Sequence, residues 1–127
     1  MALQLCFRLK NGEHAIPLAR AYSIVGYAKL RGESDDYFLG WLYFHGEWVP
    51  VFDLNRVVCE QPTPETFGTR IILIRADNIA AVRFIGLLAA GVTNTVAAGD
   101  TGVTLFNLDD CLPMLVNLIP AVPAMAV

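Results

Sequence analysis

The residues that could perform acid–base or metal chemistry are few in this sequence and lie far apart. His14 and His45 are the only two histidines, and no cysteine or second histidine stands at metal-ligand spacing from either. Adjacent aspartates occur at 35–36 and at 109–110, where neighbours on a strand would point to opposite faces. The pattern predicts solvated charges or helix caps, with no metal site, no cofactor and no catalytic centre.

The candidate nucleophiles also lack a partner base. Ser23 and Cys59 stand in no motif that places a histidine or a carboxylate beside them. Cys6, Cys59 and Cys111 lie far apart among apolar neighbours, which is typical of buried, reduced thiols in a cytoplasmic protein. These observations favour a binding module over an enzyme.

Asp53 is the carboxylate with the most informative surroundings. It ends an apolar run in Val-Phe-Asp-Leu-Asn, directly before a short helical turn predicted at 55–59. A carboxylate in that position accepts hydrogen bonds from the first backbone N–H groups of a helix. We therefore predict that Asp53 caps this turn and that Arg56 lies at the surface near the same corner.

The aromatic residues concentrate in residues 39–54, which carry both tryptophans. Aromatic and β-branched residues flank His45-Gly46-Glu47 and predict a β-hairpin, because glycine adopts the positive φ of a tight turn and histidine tolerates it. A hairpin apolar on both sides needs a second cover, either a binding partner or a second hydrophobic core. The aliphatic face would carry Leu42, Phe44, Val49 and Val51, and the aromatic face Trp41, Tyr43, Trp48, Pro50 and Phe52.

The remaining pattern predicts an all-β barrel or sandwich with almost no helix. A first hairpin is predicted over residues 3–18, with its turn at Asn11-Gly12. The further predicted elements are a solvated loop at 26–37, strands at 70–75, 82–90, 91–98 and 103–108, turns at Asp77-Asn78 and 99–102, and a brief helix from Asp109 or Asp110 to Leu112 that Pro113 would distort or end.

The amino-acid composition indicates which kinds of partner to expect. The chain is 55% hydrophobic and 17% charged, below the roughly 25% charged residues of an average soluble domain, so another protein or subunit is expected to cover part of the surface. The net charge of −3 and the lack of a basic stripe argue against nucleic-acid binding. Residues 111–127 are uncharged, but three prolines interrupt them and they are too short to cross a bilayer. Since the N-terminus also lacks a signal-peptide pattern, we expect a cytoplasmic protein without membrane insertion.

Residues 40–54 resemble the signature of the CheW-like domain family, in which a glycine, an aliphatic strand and a turn glycine precede a Val-Pro-Val-x-Asp-Leu run. The His14-Ala15-Ile16-Pro17-Leu18 segment resembles the end of the family's opening hairpin, 69–95 its middle strands, and 105–109 its closing strand. The resemblance implies a single domain over residues 1–127, built as a pair of small SH3-like β-barrels. Its approximate lobes would lie at 19–68 and at 69–112 with the N-terminal hairpin 3–18, followed by an apolar tail at 113–127.

The same resemblance implies a function without catalysis. Members of this family are adaptors in chemotaxis-like signal transduction, and they couple the cytoplasmic tip of a chemoreceptor to the regulatory domain of a CheA-type histidine kinase. The alternative is a truncated relative that self-associates or binds a small ligand without coupling a kinase. The expected partner-binding residues are Trp41, Tyr43, His45, Trp48 and Arg56.

Two departures from the family pattern bear on these expectations. His45 stands where the family usually has an arginine implicated in receptor contact, which puts ordinary receptor binding in doubt. The family also has a longer segment between the strand ending near Ala98 and the closing strand, including the first strand of the last hairpin. The second barrel is therefore expected to be incomplete, and its unpaired edge or the apolar tail is expected to mediate a homodimer.

Overall fold

The computed structural model describes residues 3–76, 82–97 and 102–120, and of residues 94–97 the backbone alone. Strands predominate in these residues, which confirms the all-β fold class, and two short helices accompany them. The strands are β1 (Leu3–Leu9), β2 (Gly12–Pro17), β3 (Ala21–Gly26), β4 (Phe38–Phe44), β5 (Glu47–Asp53), β6 (Arg70–Arg75), β7 (Phe84–Ala97) and β8 (Val103–Leu105), and the helices are α1 (Leu54–Cys59) and α2 (Leu108–Asn117).

Two sheets share the long strand β7. Its residues 84–89 pair antiparallel with β6 and, at 86–88, parallel with β5, whereas from Ala90 onward it pairs antiparallel with β1. Gly91 has a φ of +58° at this change of partner, and glycine allows the bend without ending the strand. The prediction of two separate strands at 82–90 and 91–98 was therefore wrong. The division into lobes near residue 69 stays a prediction. The two sheets meet within β7, and β6 belongs to the sheet that contains residues 84–89 of β7.

The first sheet runs in the order β3-β6-β7-β5-β4 and bends into a partly closed barrel. Its two ends approach where Arg31 and Trp41 exchange two backbone hydrogen bonds of 2.8 Å. Gly40 makes this approach possible, because a Cβ there would lie 2.9 Å from the carbonyl oxygen of Arg31. The interior is an aliphatic cluster with one aromatic ring, formed by Leu42, Val49, Val51, Ile71, Leu73, Phe84 and Leu88.

The second sheet runs in the order β7-β1-β2-β8. Among the described residues, β8 pairs only with β2, in parallel, and residues 90–97 of β7 pair only with β1. Within the described chain neither outer edge pairs with a further strand, although the N–H of Val92 in β7 donates a 2.9 Å hydrogen bond to the carbonyl of Gly68. The expectation of an incomplete second barrel is confirmed.

A larger hydrophobic cluster joins the two sheets and α2. It takes Trp41 and Phe52 from the central hairpin, Leu5 and Phe7 from β1, and Leu112 from α2. A second hydrophobic core therefore covers part of the aromatic hairpin face, which is one of the two alternatives that the sequence left open.

The central hairpin follows the predicted register. Leu42 pairs with Val49 and Tyr43 with Trp48, so a loop of His45 and Gly46 joins the strands, with φ angles of +49° and +81°. Positive φ at both loop residues is the turn geometry whose twist matches that of the strands. The aliphatic face lies inside the first barrel, as predicted.

Helix α2 corrects the expectation for the end of the chain. Strand β8 ends at Leu105 rather than at 108, Asn107 caps α2 by accepting a 3.2 Å hydrogen bond from the N–H of Asp110, and the helix continues through Pro113 to Asn117. Pro113 removes one hydrogen bond, but it lies on the exposed side of the helix, while Leu108, Cys111, Leu112 and Leu115 are buried. Packing of that buried face offsets the lost bond. The predicted turn at Asp77-Asn78, most of the turn at 99–102, and residues 121–127 of the tail lie outside the described residues.

Candidate functional site

Trp41 lies in the interior rather than on a binding surface. Its side chain is 3% exposed, and its ring packs edge-on against Phe38 with 5.7 Å between centroids. The β3–β4 loop also covers it, since a Cβ on Gly32 would lie 3.2 Å from Trp41 Cδ1. In this conformation Trp41 supports the hairpin and has almost no surface to offer a partner.

Tyr43 occupies the same hairpin face two residues further along and is 47% exposed. Its ring packs on Trp48 with 4.9 Å between centroids. Trp48 is half-buried, because part of it packs against the large cluster. The two rings form an apolar surface whose inner half is fixed by the core, which limits the side-chain entropy lost on binding.

His45 lies in the hairpin turn and is exposed to solvent. Its ring stacks on Phe44 at 4.1 Å between centroids, and Phe44 in turn meets Phe84 edge-on. Tyr22 packs against Phe84 at 4.6 Å and lies beneath the guanidinium of Arg75. The turn therefore carries aromatic surface on both sides.

Tyr22 is a part of this surface that the sequence reading missed. It is one of the exposed large hydrophobic residues, as is Ile24 two positions later. The alternation of half-buried and exposed residues along β3 is the signal that marks them as a row on the outer face. We call the surface formed by the following residues the hairpin-tip surface: Tyr22, Tyr43, Phe44, His45 and Trp48.

Arg56 does not join the hairpin-tip surface. It lies in α1, beyond the far end of β5, and seven residues of strand correspond to roughly 20 Å. It is half-buried rather than a surface residue, and its Nε is buried without a hydrogen-bond partner among the described residues. The predicted set of five residues is thus divided between one interior position, the hairpin tip and a separate corner.

Asp53 caps α1 as predicted. Its carboxylate accepts hydrogen bonds from the backbone N–H of Arg56 at 3.1 Å and of Thr63 at 3.0 Å. The hydroxyl of Thr63 donates a further one. These bonds tie the proline-rich connector to the start of α1 and make Asp53 a structural residue.

His14 is a buried titratable residue of the second sheet. It packs against the rings of Phe7 and Phe106, each 6.0 Å away between centroids, and these two rings also contact each other at 5.8 Å. Its Nε2 forms a 2.7 Å hydrogen bond with Asn11 Oδ1. Burial lowers the pKa of His14, while the negative charge of Glu13 acts in the opposite direction. Among the described residues, no three histidine, cysteine or acidic side chains gather as a metal site would require.

These features define the class of protein: a barrel-like β domain with a central aromatic hairpin whose tip is partly exposed. A family model described as the CheW-like domain matches residues 4–101, which is more than half of the chain, and the chain belongs to this family.

The solved structures that match include the crystal structure of the scaffolding protein TtCheW from Thermoanaerobacter tengcongensis. The TM-score is 0.64 at 16% sequence identity, over 78% of this chain and 63% of that one, so the chain spans less than two thirds of that structure's length. At this identity the likeness concerns the fold. A search of curated protein sequences finds no significant match. In the part of the chain that the structure describes, neither helix is long and apolar enough to cross a membrane.

Proposed function

We propose that this protein is a cytoplasmic, non-enzymatic adaptor that couples a chemoreceptor to a CheA-type histidine kinase by protein–protein binding. Membership of the CheW-like family supports this proposal. The observation that carries it is the hairpin-tip surface, where Tyr43 is about half exposed and packs on Trp48, and Tyr22 is about half exposed and packs on Phe44. Tyrosine and tryptophan held in place by a core are the residues that dominate protein interfaces.

The histidine at position 45 determines which kind of contact we expect with a receptor. An arginine at this position would offer a fork of five donors to a carboxylate, whereas histidine offers at most two separate N–H groups. We therefore propose that the receptor tip binds through apolar contact with Tyr43 and Trp48, and that His45→Arg strengthens binding to a receptor with an acidic tip. We propose Arg56 as a separate contact at the far end of β5.

The test is binding of the full chain to purified fragments of the co-encoded CheA-type kinase regulatory domain and of the receptor cytoplasmic tip. Tyr43→Ser is expected to weaken binding to one of them by about tenfold or more, in the range of an interface hot spot. Tyr27→Ser is the matched control, because Tyr27 is 52% exposed and follows the other end of β3. Equal losses for the two variants, or no binding to either fragment, would reject the proposal.

A second proposal is self-association, favoured by the outer edge of β8, which pairs with no further strand among the described residues. Strand β8 reads Val-Thr-Leu, and Leu105 in it is exposed, so β8 lacks the charges and prolines that block edge pairing. We propose that a second copy pairs at this edge, with or without the apolar tail. Analytical ultracentrifugation decides this. The N–H of Phe106 bonds to β2, so the N–H of Leu105 faces the outer edge. A dimer that Leu105→Pro converts to monomer supports the proposal, and a monomer at micromolar concentration rejects it.

A further inference from the structure

A cleft of about 320 Å³ lies beyond the end of β5 that is opposite the hairpin turn. The β1–β2 turn, the start of α1 and the proline-rich connector form its walls. The cleft is of the size that holds a few side chains of a ligand. Its apolar lining is Leu9, Pro62, Pro64 and Ala90, and its polar lining is Arg8, Lys10, Asn55, Gln61 and Thr66.

Asn55 holds the walls of this cleft together. Its Oδ1 accepts a 2.8 Å hydrogen bond from the backbone N–H of Lys10, and its Nδ2 donates a 3.3 Å bond to the carbonyl of Pro62. The side chain is buried, and the bond to Lys10 links residues 45 positions apart in sequence. The cleft is thus formed before any ligand arrives, which reduces the cost of binding.

The charge of the lining is positive. Arg8 and Lys10 are its charged members, and no carboxylate lines the cleft, although the chain as a whole carries −3. The two glutamates of the connector are engaged elsewhere: Glu60 accepts a 2.9 Å hydrogen bond from the hydroxyl of Tyr37, and Glu65 is hydrogen-bonded to Tyr27.

Arg8 has one carboxylate neighbour at the rim. Its Nε lies 3.4 Å from Glu13, and both side chains are about half exposed or more. An exposed pair of this kind contributes little, and guanidinium has five N–H donors, so a second carboxylate can be accommodated. Gly91 lies against this guanidinium, since a Cβ there would be 2.7 Å from Arg8 Nη2.

We propose that this cleft binds an extended acidic segment of a partner protein, with a carboxylate at Arg8 and Lys10 and an adjacent apolar side chain against the prolines. The apolar lining beside the two cations favours such a segment over a small inorganic anion. The site is separate from the hairpin-tip surface, and the proposal does not depend on the identity of the kinase or receptor.

The test uses fluorescence anisotropy with a short labelled peptide of alternating aspartate and leucine, and the same peptide with asparagine in place of aspartate. The aspartate peptide is expected to bind the full chain at low salt about fivefold or more tightly than the asparagine peptide. Binding should weaken as salt screens the charges. Lys10→Gln and Arg8→Gln should each reduce the affinity by a similar factor, and both side chains are exposed, so the fold is retained.

The matched control is Lys29→Gln, which removes the same charge from an exposed lysine outside the cleft. Backbone amide shifts in NMR should move at Lys10, Thr66 and Ala90 when the aspartate peptide is added. Four outcomes would each overturn the assignment. The two peptides bind equally well, or Lys29→Gln lowers the affinity as much as the cleft variants do. Alternatively, the amide shifts are confined to other parts of the chain, or inorganic phosphate competes as well as unlabelled aspartate peptide.

Discussion

Thr63 donates two hydrogen bonds to Asp53, one from its backbone N–H at 3.0 Å and one from its hydroxyl. Asp53 is 4% exposed and also accepts the N–H of Arg56. The first prediction follows from this arrangement. Asp53→Ala leaves the backbone N–H groups of Thr63 and Arg56 without this acceptor, while the hydroxyl of Thr63 keeps the carbonyl of Leu88 at 3.4 Å. Each bond to a charged group contributes about 1.5–3 kcal/mol, so we expect the free energy of unfolding to fall by roughly 3 kcal/mol or more. Urea unfolding measures it, and Asp36→Ala, an exposed aspartate nearby, should change it by less than about 0.5 kcal/mol.

Gly40 and Gly46 give the second prediction, because both have positive φ but differ in their surroundings. A Cβ at Gly40 would lie 2.9 Å from the carbonyl oxygen of Arg31, whereas at Gly46 it would meet nothing within 4 Å. Gly46→Ala should cost about 1 kcal/mol from backbone strain alone, and Gly40→Ala about 1–3 kcal/mol more, since it also separates the ends of the first barrel. Thermal or urea unfolding of the two variants is the comparison, and equal losses would contradict the role assigned to the Arg31–Trp41 contact.

His14 gives a prediction about pH. Burial lowers its pKa below the ordinary value of 6.5, so below that pH the unfolded chain binds a proton that the folded chain does not. The contribution of neutral His14 is fully present above pH 6.5 and is lost as the pH falls through the lowered folded-state value. We expect the urea midpoint to decrease between pH 7 and pH 5.5.

The controls for this pH effect are substitutions at both histidines. In His14→Gln the decrease should be smaller, because the glutamine does not titrate. In His45→Gln, where the exposed turn histidine is replaced, it should persist. The same pH dependence in all three proteins would show that His14 is not its source.

The cysteines give a prediction about reactivity. Burial raises the pKa of Cys111 to about 11, so almost no thiolate, the reactive form, is present at pH 8. Cys6 is also buried, whereas Cys59 is half-buried at the end of α1. Alkylation followed by mass spectrometry should therefore modify Cys59 first, and modification of Cys111 should require unfolding. Faster labelling of Cys111 than of Cys59 in the folded protein would contradict the packing of α2.

The parts of the fold that the sequence predicted well depend on local interactions. The hairpin register follows from the alternation on either side of His45-Gly46, and the cap at Asp53 follows from its place before a short helix. Both involve residues that are neighbours in the chain, where turn geometry and hydrogen bonding to nearby backbone groups act directly. The aliphatic interior of the first barrel follows from the same alternation.

The candidate site was predicted only in part, and Trp41 and Tyr43 show why. They lie two residues apart on one face of β4, so alternation gives them the same environment. In the structure Trp41 is 3% exposed and Tyr43 is 47% exposed. The difference arises because the β3–β4 loop, expected to be solvated, returns over Trp41 and bonds to its backbone.

The sequence by itself determined the hairpin, its turn and the two kinds of face, because the period-2 pattern and the turn glycine fix these locally. Only the tertiary structure decided which aromatic rings stay at the surface, that α2 continues through Pro113, and that Arg8 and Lys10 meet the proline connector in one cleft. Those outcomes depend on contacts between segments far apart in the chain, such as Asn55 with Lys10, and no local pattern specifies where one segment covers another.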